Sequence, residues 1–73
     1  MLSIKAILEL NGIVKELRQF LSNNYKDAAH EQRKLLGEKS EEYYRAGKLS
    51  RRRYLHYQKL YTDFTRQMKD YHH

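Results

Sequence analysis

Arg51-Arg52-Arg53-Tyr54-Leu55-His56-Tyr57-Gln58-Lys59-Leu60-Tyr61-Thr62-Asp63-Phe64-Thr65-Arg66-Gln67-Met68 is the stretch on which the fold turns. Tyr54, Tyr57, Tyr61, Phe64 and Met68, continued by Tyr71, follow one another at spacings of 3, 4, 3, 4 and 3. That alternation puts all six side chains on one stripe of an α-helix, the pattern of a buried seam. The regularity favours a core or oligomer face over an exposed ladder of rings. The tyrosine hydroxyls need polar outlets, so the seam should be half-buried or lie at an interface.

The residues just upstream specify a turn. Gly47 suits the left-handed position that closes a helix, and Ser50 suits the N-cap of the next one. Leu49 reads as the residue that packs back on Tyr43 after the first helix ends. It also reads as the residue that meets Tyr54 at the start of the second, a hydrophobic staple. So short a connection requires antiparallel neighbours. Gly47-Lys48-Leu49-Ser50 before a tyrosine-rich helix resembles the hairpin turn of SHOCT-type short domains, without the acid that usually follows the serine. The resemblance implies a helical hairpin and no function.

Two further helices precede the turn. Ile7, Leu10, Val14, Leu17 and Leu21 repeat at helical spacing, flanked by Ala6, Ile13 and Phe20, which predicts a helix over residues 3–22 with a wide apolar face. Leu2, Ile4 and Leu8 fall off that face and leave surplus apolar surface. Ser22-Asn23-Asn24 stops the helix, and Asn24 reads as the N-cap of a second helix over residues 25–46, with Asp27 in its first turn. The second stripe is thinner: Ala29, Gln32, Leu36, Tyr43 and Ala46, with Ala28 and Leu35 beside it. Gly37 interrupts it. One continuous helix is favoured, the alternative being a break at Leu36-Gly37 with Ser40 capping a new helix. The third helix is expected over residues 51–71. Glu41–Arg45, Lys59–Asp63 and Arg66–Asp70 are candidate i,i+4 ion pairs.

The fold class is therefore all-α: an antiparallel three-helix bundle, or an extended helical hairpin with a third helix. Residues 1–73 form a single domain. A chain of this size buries only about 60% of the surface its unfolded form exposes. With no cysteine to supply a disulfide, dimerisation through the surplus apolar surface and the aromatic seam is the expected remedy. No uncharged apolar run approaches the roughly 18 residues of a membrane span, and no signal peptide is evident. The chain is expected to be cytoplasmic.

The charge is uneven. Of a net +6, residues 51–73 contribute six cations against two anions, an excess of +4. Arg51, Arg52 and Arg53 occupy the first turn of the third helix, where the helix dipole is positive and each cation loses about 0.3–1 kcal/mol. Stability alone would place acids there. Such local conflicts concentrate at functional sites, and free N–H groups at a helix start add to the attraction for anions. Arg45 and Lys48 precede the triplet, with Tyr44 near for stacking and Lys59 and Arg66 as flanking contacts. These eight residues form the candidate site for nucleic-acid phosphates or an acidic protein surface. The competing reading is a solvated basic turn paired with Glu41 and Glu42.

No phosphate-binding glycine loop, nucleophile triad or HExxH motif is present, so a non-enzymatic binding protein without cofactor or small-molecule substrate is expected. His30 and His56 lack a partner ligand at helical spacing and read as surface imidazoles. Two functions remain. One is a small regulator that binds nucleic acid through its backbone. The other is an interaction module, an inhibitor or adaptor of phage or mobile-element type, that engages an acidic groove on a partner protein.

Overall fold

Three helices account for nearly all of residues 2–69, the part of the chain described by the computed structural model. They are α1 (Ile4–Ser22), α2 (Lys26–Arg45) and α3 (Arg51–Gln67). The chain runs up, down and up as an antiparallel three-helix bundle, about 41 Å long and 18 by 14 Å across.

Each junction is set by local chemistry. Ser3 caps α1, its hydroxyl accepting from the Ala6 N–H at 3.2 Å. Both interhelix turns use the same device. Tyr25 N–H donates to Phe20 O at 2.8 Å and Asn24 N–H to Leu21 O at 3.2 Å. At the second turn Lys48 N–H donates to Tyr43 O at 2.8 Å and Gly47 N–H to Tyr44 O at 3.1 Å. These are Schellman closures, and each needs a left-handed residue: Asn24 at φ 62° and Gly47 at φ 74°.

Two expectations are corrected here. Asn24 is not the N-cap of α2; it is consumed in closing α1, and Tyr25 takes the cap position without a side-chain bond. Asparagine tolerates the left-handed region, and the closure satisfies carbonyls that would otherwise be orphaned. The C″ residue, whose N–H closes back on Tyr43 O after α2, is Lys48 rather than Leu49, and its ammonium lies over the Tyr43 ring at 5.4 Å. Leu49, 3% exposed, joins the core just before Ser50. Ser50 caps α3 as expected, accepting from the Arg53 N–H at 3.2 Å. The main chain adds a tie between the start of α1 and this turn, Ser3 N–H donating to Lys48 O at 2.9 Å.

α3 ends at Gln67, with a turn at Met68-Lys69, short of the expected residue 71. Asn11 pairs with Tyr57 and Arg18 lies over Phe64, so Met68 is level with Ser22, the last residue of α1. Tyr71 and the acid of the Arg66–Asp70 pair lie outside the described residues. Glu41 and Arg45 form their ion pair, whereas Lys59 and Asp63 do not.

The core follows the two apolar stripes. Ala6, Leu10, Ile13, Val14 and Leu17 of α1 meet Ala29 and Leu36 of α2 and Tyr57, Phe64 and Met68 around α3. Tyr54 and Tyr61 are half-buried. The aromatic seam thus closes within one chain. Tyr57 finds its polar outlet in Asn11, donating to Oδ1 at 2.7 Å. Leu2, Ile4 and Leu8 remain exposed.

α2 is continuous through Gly37. Its contact with α3 steps toward the C-terminus of α2 as Arg33, Gly37, Ser40, Tyr44 and toward the N-terminus of α3 as Thr65, Tyr61, Gln58, Tyr54, with spacings of 4, 3, 4 on both helices. The Tyr61 ring lies so close over Gly37 that a Cβ there would stand 2.7 Å from Tyr61 Cε1. Ser40 is fully buried, donates to Gly37 O at 3.1 Å and accepts from Gln58 Nε2 at 3.0 Å. A residue that looked like a spare helix cap is the polar centre of this interface.

Candidate anion-binding face

The Ser50 cap and the Leu49 anchor fix where α3 begins, and so where its first turn projects. Arg51, Arg52 and Arg53 are all exposed there. The two acids nearest in sequence are engaged elsewhere. Glu41 pairs with Arg45, and Glu42 lies 3.7 Å from Lys39. Among the described residues, none of the three arginines forms an ion pair.

Arg52 and Arg53 open into a groove with Ser50 and His56. α1 and α3 make few close backbone approaches, unlike α1 with α2 or α2 with α3. The groove therefore continues between them, past Asn11, Val14, Lys15, Arg18, Gln19 and Leu60, where it encloses about 560 Å³. Its far end is formed by Arg18, Leu21, Phe64 and Gln67. Among the described residues no acid lines any part of it. Its floor is apolar through Val14, Leu60 and Phe64, and the Arg18 guanidinium sits 5.9 Å from the Phe64 ring centre. Burial pushes the Tyr57 phenol up, and the nearby Arg53 charge opposes the rise.

Carboxylates are concentrated away from this face. α2 carries five of them, Asp27, Glu31, Glu38, Glu41 and Glu42. The two acids of α1 turn toward α2: Glu9 accepts from the Tyr43 hydroxyl, and Glu16 accepts from Gln32 Nε2 at 2.8 Å. Tyr43 is pushed up to about 12, first by that hydrogen bond to Glu9, then by burial and the charges of Glu9 and Glu42.

The eight residues singled out from the sequence are divided among several places. Arg51, Arg52 and Arg53 stay together at the mouth of the groove. Arg45 is held by Glu41, and Lys48 lies over the Tyr43 ring, so both are partly committed. Tyr44 stacks on Tyr54 at 4.1 Å and 8°, which uses one face of each ring within the fold. Lys59 is exposed away from the groove lining, and Arg66 lines a separate cleft near the end of α3. Sequence reasoning missed Lys15, Arg18 and His56. Asn11, Lys15 and Arg18 are spaced 4 and 3 along α1, a row visible in the sequence, but nothing there places it opposite α3.

Among the described residues no group of three or more metal-ligating side chains converges. No described helix is long and apolar enough to cross a membrane. No family model matches the chain, and no curated protein or solved structure matches it either.

Proposed function

We propose that this protein is a small non-enzymatic regulator that binds nucleic acid through its phosphates, using Arg51, Arg52 and Arg53 with Lys15, Arg18 and His56. The observation that supports this reading is a cationic row whose lining among the described residues holds no carboxylate, on a chain that carries five of its nine acids on α2. Three of its residues, Arg51, Arg52 and Arg53, conflict with helix stability, since cations at the first turn of α3 oppose the dipole. From the level of Arg52 to that of Arg18 the row spans 12 residues of α3 (Arg18 being level with Phe64). At 1.5 Å per residue this is roughly 18 Å, the length of about five stacked nucleotides of one strand. The contacts are to phosphate, so register and affinity follow but base readout does not.

The test is fluorescence anisotropy with mixed-sequence DNA and RNA, single-stranded and duplex, at low salt. Arg51/Arg52/Arg53→Ala and Lys15/Arg18→Ala should each weaken binding, while Lys26/Lys34→Ala on α2 should not. Absence of binding at low salt, or equal losses from all three sets, overturns the proposal.

A second reading is favoured by one observation. Ile4 and Leu8 are 76% and 64% exposed, and they extend the row Asn11, Lys15, Gln19 along the α1 side of the groove. A nucleic-acid strand gains little from aliphatic side chains, whereas an acidic partner protein, or a second copy of the chain, would bury them. A monodisperse monomer by sedimentation at high concentration would exclude the homodimer. Loss of a captured partner on the same arginine substitutions would favour the interaction module.

A further inference from the structure

We infer that the end of the α2–α3 hairpin opposite the Gly47 turn carries a second, separate site, one that takes a phosphate-class oxyanion on Arg33, Arg66 and Lys69. Arg33 reaches from α2 across to α3. Its Nη1 donates to Thr65 Oγ1 at 3.1 Å and to the Tyr61 hydroxyl at 3.4 Å, and its guanidinium lies over the Tyr61 ring at 5.6 Å. All of these partners are neutral. Among the described residues no carboxylate lies within ion-pairing distance of it. Its Nε is buried and has no hydrogen-bond partner.

A guanidinium fixed in this way is an unusual choice for structure alone. The residue is half-buried, but its Nε is withdrawn from water without an acceptor, and hydroxyl acceptors on Nη1 do not replace a counter-charge. The ring and two hydroxyls hold its plane still, and a pre-oriented guanidinium loses less freedom when it takes up an anion. Beside it opens a cleft of about 470 Å³, lined by Arg33, Thr62, Thr65, Arg66 and Lys69 and, among the described residues, by no acidic one. Thr62 and Arg66 are four apart on α3, along one edge of the helix, and Lys69 follows in the turn that ends it. Both threonine hydroxyls donate to their own helix, Thr62 to Gln58 O at 3.0 Å and Thr65 to Tyr61 O at 2.8 Å.

The chemistry of the site is thus one oriented fork with two exposed cations lining the same cleft. Arginine forks match tetrahedral oxyanions, and lysine adds a point charge. A phosphate there would supply the negative charge that Arg33 lacks and would tie α2 to α3. The site lies about 22 Å along α3 from the arginine triplet, at 1.5 Å per residue, and does not depend on how that row is used. The phosphate can belong to free phosphate or to the 5′-terminus of a nucleic-acid strand.

The test is an amide-shift titration of the full chain with inorganic phosphate at constant ionic strength, with chloride as the reference. Saturable shifts near Arg33, Thr65 and Lys69 are expected with phosphate and not with chloride. Arg33→Met should weaken the phosphate response about tenfold, the loss typical of one charge-assisted hydrogen bond. Arg66→Gln with Lys69→Gln changes only exposed side chains and should weaken it comparably, so the proposal remains testable if Arg33→Met fails to fold. A linear response equal to that of chloride, or saturation unaltered by Arg66→Gln/Lys69→Gln, would overturn the site. Oligonucleotides with and without a 5′-phosphate separate the sources. A preference for the phosphorylated strand that vanishes in the Arg66→Gln/Lys69→Gln protein identifies a strand terminus. Equal binding of the two strands, alongside saturable inorganic phosphate, identifies the free ion.

Discussion

Replacing Gly37 by alanine tests the α2–α3 interface more sharply than any truncation would. In an exposed helix interior Gly→Ala stabilises by about 0.8–1 kcal/mol, because the chain loses less backbone entropy on folding. Gly12 provides that case within this protein: it lies in α1, and a Cβ there would meet nothing within 4 Å. At Gly37 the same Cβ would stand 2.7 Å from Cε1 and 3.0 Å from Cδ1 of Tyr61. The ring cannot swing aside freely, since Arg33 donates to its hydroxyl and lies over its face. Forcing a methyl into such a contact costs about 1–3 kcal/mol. Subtracting the propensity gain leaves Gly37→Ala destabilised by about 1 kcal/mol, or about 4–8 °C in Tm for a domain of this size. Gly12→Ala should move Tm upward instead. In a Tyr61→Ala background the obstruction is gone, and Gly37→Ala should become stabilising, a coupling of about 2 kcal/mol between neighbours in contact. Urea denaturation of the four proteins of that cycle, with Gly12→Ala as control, measures each quantity. If Gly37→Ala stabilises wild type as much as Gly12→Ala does, the close approach of Tyr61 is wrong, and the pairing of α2 with α3 falls with it.

Other expectations follow from single contacts. Tyr43 retains its proton in the fold up to about 12, whereas an unfolded tyrosine ionises near 10. Its contribution is therefore complete below about pH 10 and is lost as pH rises toward 12, because the unfolded chain releases the proton first. Urea midpoints from pH 9 to 12 should fall less steeply for Tyr43→Phe than for wild type; equal slopes would remove Tyr43 from the account. Ser50→Ala deletes the α3 cap and should cost about 1 kcal/mol. Ser50→Asp should keep the cap yet weaken anion binding, since it sets a carboxylate beside Arg52 and Arg53. Equal nucleic-acid affinity for Ser50→Ala and Ser50→Asp would separate the groove mouth from function.

The architecture was legible because it is written in local signals. Helical spacing marks all three elements, Gly47 and Ser50 mark the second turn, and the tyrosine seam declares its own burial. The misread details lie where one residue type serves two geometries. Asparagine is both a good N-cap and a good left-handed closer, and only the backbone bonds of the first turn decide in favour of the second. Gly37 and Ser40 looked like weakness in α2 because the partner that explains them, Tyr61 with Gln58, is more than a dozen residues away. The arginine triplet was visible as a conflict with the helix dipole. Its extension through His56 to Lys15 and Arg18 was not, because the open seam between α1 and α3 arises from packing and has no sequence period of its own.

The central claim is that this face grips phosphates, and its most direct measurement is the salt dependence of nucleic-acid affinity. With five permanent cations engaged on a single strand at about 0.7 per phosphate, log K should fall against log salt with a slope near −3.5, about a hundredfold between 50 and 200 mM. Arg51/Arg52/Arg53→Ala should flatten that slope by about 2 units. A slope near zero in wild type, or one left unchanged by removing the three arginines, would contradict the account.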